Sequence, residues 1–252
     1  MELADLRVIV TGAARGLGRS AVAFLLRHGA KVGAVDINAD GLSNVQENPE
    51  SRTSQGTLYS YVADVSNEEQ VKIAVGQAND DLGHVNALIN CAGIYLDGLI
   101  VRQGGIKFPL ALWRKVIDVD LTGIFLMTRE VAAAMLASNI RCGVIVNIAS
   151  ISRHGNVGQS PYSAAKAGVV ADCRLWAREL APHGIRVAAI SPGLIDTPIL
   201  AAMAPTTLKN YIERIPLGRL GKPEEVNAAI RFVIECDYFT GECVEVNGGF
   251  LF

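Results

Sequence analysis

The chain has 252 residues, with 23 Lys and Arg against 25 Asp and Glu, and a net charge of −2. This balance gives no basic footprint for nucleic acid or for an anionic membrane surface, and neither partner is expected. Half of the residues are apolar and the mean hydropathy is +0.29, which provides ample material for a large core. Charges and turn residues interrupt every apolar stretch, so no transmembrane helix is predicted.

The N-terminal segment lacks a basic region, and its apolar run ends at a glycine-rich turn, which is not typical of a secretory signal peptide. The 5 cysteines form no Cys-x-x-Cys pair, and the 4 histidines do not have metal-ligand spacing. We therefore expect neither a disulfide framework nor a metal site. The pattern favours a reduced protein in the cytoplasm.

Apolar runs of strand length alternate with longer amphipathic stretches along the chain. Near-continuous Val, Ile and Ala runs indicate strands that are buried on both faces, as in a parallel sheet. The predicted strands are Arg7–Val10, Lys31–Val35, Leu58–Val62, Asn86–Ile89, Gly143–Ile148, Ile185–Ile190 and Cys243–Val246. The predicted helices are Leu17–Arg27, a short polar helix before the third strand, Glu68–Ala78, Leu112–Leu136, Pro161–Leu180 and Glu224–Ile234.

The alternation predicts an α/β fold, a Rossmann-like doubly wound parallel sheet between two layers of helices. We find no repeat and no linker, so residues 1–252 are predicted to form a single dinucleotide-binding and catalytic domain. Two long segments, 94–109 and 192–221, follow strands and should lie at the carboxyl end of the sheet, where such folds bind ligands. We predict that both line the substrate pocket, although they could also be simple connections.

A glycine-rich turn, Thr11-Gly-Ala-Ala-Arg-Gly-Leu-Gly18, separates the first strand from the first helix. Such a turn lets the backbone approach a diphosphate, which the free N–H groups of the helix N-terminus then bind. Asp36 ends the second strand. The number of residues between the glycine-rich turn and Asp36 is close to that at which an acid hydrogen-bonds the adenosine ribose. A carboxylate there repels a 2′-phosphate, so NAD(H) is favoured over NADP(H), although Arg15 could reach such a phosphate.

Tyr162 and Lys166 are four residues apart at the start of a predicted helix and share one of its faces. A neighbouring ammonium stabilises the phenolate and lowers the pKa of a tyrosine. Such a tyrosine can exchange a proton with an alcohol oxygen. Ser150, just after a strand, could hydrogen-bond the same oxygen.

With these residues, the whole chain resembles the short-chain dehydrogenase/reductases, and most closely those similar to 3-oxoacyl-(acyl-carrier-protein) reductase. The motifs that carry the resemblance occur in the family's order: TGAARGLG at 11–18, Asp64-Val65, Asn90-Cys-Ala-Gly93, Ser150, Tyr162-Ser-Ala-Ala-Lys166 and Pro192-Gly193. The resemblance implies that Tyr162 is the catalytic acid and base, that Lys166 binds the nicotinamide ribose and lowers the pKa of Tyr162, and that Ser150 polarises the carbonyl.

The resemblance also implies a cofactor site. The diphosphate would be held by Gly12, Arg15, Gly16, Leu17 and Gly18, the adenosine ribose by Asp36 with Ile37 beside it, and adenine by Asp64 and Val65. Asn90, Ala92 and Gly93 would line the cofactor, and Pro192, Gly193, Ile195 and Thr197 would flank the nicotinamide. Family members commonly form tetramers through the two long helices, and both are apolar on more than one face here, so a homotetramer or homodimer is expected.

Three departures from the family pattern bear on function. Asp120 stands where the family usually has the Asn of the proton relay, and its charge is expected to raise the pKa values of Lys166 and Tyr162. Ser150 is one residue nearer to Tyr162 than usual, which leaves Ser152 as a second candidate. The net charge of −2 gives little support for docking of an acidic carrier protein.

The sequence thus predicts an NAD(P)-dependent oxidoreductase that interconverts a carbonyl and a secondary alcohol. A 3-oxoacyl thioester or a related small ketone is the expected substrate. One alternative is an NAD-dependent alcohol or sugar-alcohol dehydrogenase that works in the oxidative direction, which Asp36 also suits. The other is a non-catalytic dinucleotide-binding sensor, for which Asp120 is the sole support.

Overall fold

The computed structural model describes residues 1–47, 55–201 and 205–251. Its centre is a parallel sheet of seven strands: β1 (Arg7–Thr11), β2 (Lys31–Asp36), β3 (Thr57–Val62), β4 (Ala87–Asn90), β7 (Gly143–Ile148), β8 (Ile185–Pro192) and β9 (Cys243–Val246). Their order in the sheet is β3-β2-β1-β4-β7-β8-β9. The predicted parallel sheet is confirmed, and each predicted strand is present with its ends shifted by at most two residues.

Helices cover both faces of the sheet. The main helices are α1 (Gly16–Arg27), α2 (Ala39–Glu47), α3 (Glu68–Leu82), α4 (Leu110–Ile117), α5 (Gly123–Ala137), α6 (Ser160–Leu180), α7 (Pro198–Ala201), α8 (Pro205–Arg214) and α9 (Pro223–Glu235). One apolar core joins α1, α2 and α9 to the sheet, and a second core on the other face joins α3, α5 and α6 to it. This is the expected three-layer arrangement.

The sheet is apolar on both faces because alternate residues of each strand enter opposite cores. In β1, Val8 and Val10 belong to the core beside α1, whereas Ile9 belongs to the core beside α3. All six residues of β7 are buried. Burial on both sides explains why the strands are continuous apolar runs in the sequence.

The chain reverses its direction of winding between β1 and β4. From β1 it moves outward to β2 and β3, and it then crosses back to pair β4 with the other side of β1. In doubly wound sheets, ligands bind in the crevice at the carboxyl ends of the strands at this reversal. The functional residues are therefore expected at the ends of β1, β4, β7 and β8.

The predicted helix Leu112–Leu136 is not one regular helix. It consists of α4, a π-helical turn at Asp118–Thr122, and α5, without a break in helical backbone angles. The turn is closed by the N–H of Gly123, which donates to the carbonyl of Asp118. Hydrophobic spacing alone does not reveal a single π turn, so this feature was missed.

The two predicted substrate segments contain more secondary structure than was expected. Segment 94–109 includes a short antiparallel hairpin of β5 (Val101–Arg102) and β6 (Ile106–Lys107). Segment 192–221 includes α7 and α8, and a parallel bridge between Ile195 and Gly221 ties its two ends together. Residues 202–204 of this segment lie outside the described residues. Among the helices of the described part, none is long and apolar enough to cross a bilayer.

Candidate active site

A cavity of about 500 Å³ opens at the carboxyl ends of β1, β4, β7 and β8. Almost all of the site residues predicted from the sequence line this single cavity, although they come from segments far apart in the chain. Asn90 and Asp120 are the two that do not line it. Additional lining residues come from both predicted substrate segments, among them Ile94, Tyr95, Leu194, Leu200 and Tyr211.

The glycine turn is held tightly against the end of β4. Gly12 has a φ of +65°, and a Cβ atom there would lie 2.8 Å from the Cα of Ala92. A Cβ on Gly18 would collide with the carbonyl of Gly12. These contacts explain why both positions are glycine.

The N-terminus of α1 faces the cavity with free N–H groups. The first amides of any α-helix have no partner within the helix. In the described part of the chain, Arg15, the residue before α1, does not cap them with its side chain. A Cβ on Gly16 would meet nothing within 4 Å, which leaves space beside these amides. Unpaired amides, a positive helix end and open space suit a diphosphate, so the residues present fit a dinucleotide.

Asp36 lies at the end of β2 and connects the wall of the cavity to the glycine turn. One carboxylate oxygen accepts the N–H of Ala14 at 2.9 Å, and the other accepts the N–H of Asn38 at 2.9 Å. Each carboxylate oxygen keeps further acceptor capacity for hydroxyl groups. The next residue, Ile37, is exposed at the rim, with 67% of its surface accessible.

Ser150 and Tyr162 come together at the other end of the cavity. Ser150 is the second residue after β7, and its hydroxyl accepts the N–H of Ser152 at 3.1 Å. Tyr162 lies in the first turn of α6, where Pro161 suits a position that needs no N–H donor. The Ser150 side chain is close enough to act as a hydrogen-bond partner that lowers the pKa of Tyr162, so the structure favours Ser150 over Ser152 as the partner of Tyr162.

Lys166 extends from the next turn of α6 into a buried polar site behind Tyr162. Its Nζ donates to the carbonyl of Ile148 at 3.1 Å and lies 3.2 Å from Oδ2 of Asp120. The other carboxylate oxygen of Asp120 accepts the N–H of Ile94 at 2.8 Å. Asp120 thus binds Lys166 directly and also anchors the first residue of segment 94–109.

Burial and charge shift the pKa values of this group. Burial raises the pKa of Tyr162, the Lys166 ammonium lowers it, and Asp120 raises it, with a net increase. Burial lowers the pKa of Lys166, but the negative charge of Asp120, together with that of the Tyr162 phenolate, outweighs this effect and raises that pKa overall. The expected influence of Asp120 on both groups is therefore present, whereas Lys166 does not bring the pKa of Tyr162 below its ordinary value.

A buried hydrogen-bond network supports the floor of the cavity. Asn90 Nδ2 donates to Asn147 Oδ1 at 2.8 Å, and Asn147 Nδ2 donates to the Cys173 sulfur at 3.2 Å. The hydroxyl of Thr11 accepts the N–H groups that follow β4, those of Cys91 and Ala92, each at 3.1 Å. Asn90 is thus placed beneath the cavity, not in its wall. The sequence analysis named Thr11 only as the start of the glycine-rich turn and did not name Asn147. Both are polar residues within otherwise apolar strands, and this pattern could have pointed to them.

Tyr95 and Gln159 are two further cavity residues, of which only Tyr95 lies in a predicted substrate segment. Gln159 Nε2 donates to the Tyr95 hydroxyl at 3.0 Å. The Tyr95 ring meets the Tyr162 ring edge-on, with centroids 5.7 Å apart. Neither residue belongs to a motif that could have been recognised by spacing.

Comparison with known proteins finds relatives that match almost the whole chain. A family model described as enoyl-(acyl carrier protein) reductase matches residues 12–251. The chain is 37% identical over 252 residues to the 3-oxoacyl-(acyl-carrier-protein) reductase FabG of Thermotoga maritima, and the match covers 99% of each chain. It is 36% identical to the (3R)-3-hydroxyacyl-CoA dehydrogenase of Canis lupus familiaris, over 99% of this chain and 97% of the relative.

A solved structure also matches closely. The crystal structure of a short-chain type dehydrogenase/reductase from Mycobacterium marinum superposes with a TM-score of 0.89 and 30% identity, over 98% of this chain and 96% of the other. The fold and these matches define an oxidoreductase. The chain belongs to the short-chain dehydrogenase/reductase family, as its motifs predicted, and this family implies a nicotinamide dinucleotide cofactor and small-molecule substrates.

Proposed function

We propose that the protein reduces the 3-oxo group of an acyl thioester, carried by coenzyme A or by a carrier protein, to a 3-hydroxyl. The observation that carries this proposal is the placement of Ser150, Tyr162 and Lys166 together at one end of a cavity that begins at the glycine turn. The similarity to a 3-oxoacyl reductase and to a 3-hydroxyacyl-CoA dehydrogenase supports the substrate class. Aliphatic side chains such as Leu194 and Leu200 offer an apolar surface for the acyl chain.

In the proposed reaction, the Ser150 hydroxyl hydrogen-bonds the ketone oxygen and Tyr162 gives this oxygen its phenolic proton. The nicotinamide dinucleotide, when bound, supplies the hydride. Lys166 stabilises the resulting phenolate by its charge, since its Nζ lies 5.5 Å from the Tyr162 ring centroid. Positioning and proton transfer by these three side chains are worth about 10² to 10⁴ in rate. The same residues would serve the reverse oxidation.

The cofactor site would be formed by the residues that line the cavity from the glycine turn onward. Gly12, Arg15, Gly16, Leu17 and Gly18 would hold the diphosphate. The remaining contacts would come from Asp36, Ile37, Asp64, Val65, Ala92, Gly93, Pro192, Gly193, Ile195 and Thr197. Asn90 would act from beneath by fixing the end of β4.

We propose NAD(H) as the preferred cofactor because of Asp36. Its carboxylate is fixed by two backbone amides at the wall of the cavity, where it would accept hydrogen bonds from ribose hydroxyls and repel a 2′-phosphate. This preference also favours the second candidate function, an NAD-dependent alcohol dehydrogenase that works oxidatively.

The proposal takes the chain as one dinucleotide-binding and catalytic domain, since a single sheet includes both β1, near the start of the chain, and β9, near its end. The cavity also draws on both halves of the chain. It also takes the protein as a homotetramer or homodimer. Phe125 on α5 and Leu175 on α6 are exposed, with 42% and 51% of their surfaces accessible, which suits a contact between copies. The cytoplasmic location stays a prediction.

The direct test is the oxidation of NADH with acetoacetyl-CoA, measured for the wild type and for Tyr162→Phe. We expect turnover by the wild type and a loss of about 10²-fold or more in the variant, with NADH affinity retained. A variant that keeps more than about a tenth of the rate would contradict the role of Tyr162. Turnover of simple secondary alcohols with NAD, without any of acetoacetyl-CoA, would favour the second candidate.

A further inference from the structure

Tyr95 and Gln159 form a hydrogen-bonded pair in the cavity wall, next to the group that contains Tyr162. Tyr95 comes from the segment after β4, and Gln159 directly precedes α6. The Gln159 amide donates to the Tyr95 hydroxyl at 3.0 Å, and both residues line the same cavity as Ser150 and Tyr162. The Tyr95 and Tyr162 rings are in edge contact at 77°. The Tyr95–Gln159 pair therefore faces the same cavity as Ser150 and Tyr162.

The pair has hydrogen-bonding capacity that the protein leaves unused. Gln159 is 7% exposed, and its Oε1 atom has no hydrogen-bond partner among the described residues. Because Tyr95 accepts from the amide, its own O–H proton remains available as a donor. If the amide is turned over, Tyr95 donates to Oε1 and the Gln159 NH₂ group becomes the available donor. At least one donor is therefore spare in either orientation.

With the amide turned so that Tyr95 satisfies Oε1, the buried group without a partner among the described residues is the Gln159 NH₂, and an unpaired buried polar group is costly. Its retention in a substrate pocket points to a ligand acceptor atom that completes it. The lining of the same cavity includes the aliphatic and aromatic side chains of Ile94, Leu194, Leu200 and Tyr211. A ligand with a carbonyl oxygen fits a spare N–H or O–H donor in such surroundings.

A 3-oxoacyl thioester carries two carbonyl oxygens, on carbon 3 and on carbon 1. We propose that Tyr95 and Gln159 form a second hydrogen-bonding site, which holds the thioester oxygen while Ser150 and Tyr162 hold the 3-oxo group. This inference rests on the proposed function and deepens it, because it makes the second carbonyl a determinant of specificity. It predicts discrimination in favour of β-dicarbonyl substrates over monoketones.

A purely structural role for the pair predicts something different. If Tyr95 serves only to pack against Tyr162, its loss affects every substrate alike, because Tyr162 acts on all of them. If the pair binds the second carbonyl, its loss affects only substrates that have this group. The ratio of kcat/KM values for two substrates therefore separates the two roles.

The experiment compares ethyl acetoacetate with 2-hexanone, a ketone without the second carbonyl, in Tyr95→Phe and Gln159→Met. Each variant keeps most of the side-chain volume and removes the polar group. We expect kcat/KM for ethyl acetoacetate to fall about 5- to 10-fold, consistent with one neutral hydrogen bond, and that for 2-hexanone to stay within about 2-fold. The double variant should lose little more than either single variant, because the pair acts as one unit.

Tyr61→Phe is the matched control. It also removes a hydroxyl in one side-chain hydrogen bond, to Asp81 at 2.8 Å, but Tyr61 does not line the cavity. Its substrate ratio should equal that of the wild type. An equal loss on both substrates in Tyr95→Phe and Gln159→Met would overturn the inference in favour of packing alone.

Calorimetry separates this inference from the proposed function. If the wild type turned over neither acetoacetyl-CoA nor ethyl acetoacetate, the proposed function would fail, and binding of acetoacetyl-CoA would decide the role of the pair. Weaker binding by Tyr95→Phe than by the wild type would support the second site. Equal binding by the two proteins would refute it.

Discussion

The carboxylate of Asp120 lies 3.2 Å from the ammonium of Lys166, and the two side chains are 0% and 4% exposed. A direct ion pair therefore stands behind Tyr162. The carboxylate is also held by the N–H of Ile94, which fixes its position relative to segment 94–109. Because little water reaches this pair, its charges act strongly on the neighbouring phenol.

Replacement of Asp120 by Asn should shift the pH dependence of the oxidative reaction. Oxidation needs the Tyr162 phenolate, and the negative charge of Asp120 disfavours it by raising the pKa of Tyr162. Removal of this charge lowers that pKa, so the rise of kcat/KM with pH should move to lower pH. The measurement is kcat/KM for 3-hydroxybutyryl-CoA with NAD across the alkaline range.

Asp118→Asn provides the matched control, because Asp118 is an exposed carboxylate two residues away on the same π turn. Its pH profile should coincide with that of the wild type. An unchanged or more alkaline profile in Asp120→Asn would show that Asp120 does not govern the titration of Tyr162.

Replacement of Asp36 by Ala should weaken the preference for NADH. The variant loses both the expected contact with the ribose hydroxyls and the repulsion of a 2′-phosphate, so the KM for NADH should rise about 10-fold, and the NADPH to NADH ratio of kcat/KM should increase. Initial rates with each cofactor give both values. Asp40→Ala, on the exposed face of α2, should leave the ratio unchanged; a similar change there would point to a nonspecific charge effect.

Gly12→Ala should abolish cofactor binding or destabilise the turn. The new methyl group would lie 2.8 Å from the Ala92 backbone, at a φ of +65° that alanine rarely adopts. Gly76→Ala is the control: Gly76 lies within α3 with nothing near its Cβ position, and alanine should stabilise the protein by about 0.5–1 kcal/mol. Thermal unfolding and NADH fluorescence titration test both variants. Normal NADH affinity in Gly12→Ala would refute the close approach at this turn.

Asn147→Ala should cost stability more than activity. It leaves the Asn90 amide without its 2.8 Å partner at a buried position, for which a cost of about 1–3 kcal/mol is expected. Urea unfolding monitored by circular dichroism gives the free energy of unfolding. Asn210→Ala on the exposed part of α8 should stay within about 0.5 kcal/mol of the wild type. Equal stability of Asn147→Ala and the wild type would indicate that the network under β4 is dispensable.

The features that could be predicted from the sequence depend on neighbouring residues in the chain. Strands such as β7 are apolar on both faces, and the glycine turn has steric requirements that only glycine meets. The pairings of Asp120 with Lys166 and of Tyr95 with Gln159 join residues 46 and 64 positions apart. Such contacts depend on how helices and loops pack over the sheet, and no periodicity encodes them.

The π turn before α5 has a consequence for the phase of the helical run. Val116, Asp120 and Ile124 are all buried, although they are spaced by four residues. In a regular helix of 3.6 residues per turn, side chains at this spacing would point in progressively different directions around the axis. The wider turn absorbs this drift and keeps the three side chains on one side. Deletion of one residue here would rotate one flank by about 100° relative to the other. One of Val116, Asp120 and Ile124 would then turn towards water. The number of residues in this turn is therefore constrained by burial, as the identity of its residues is.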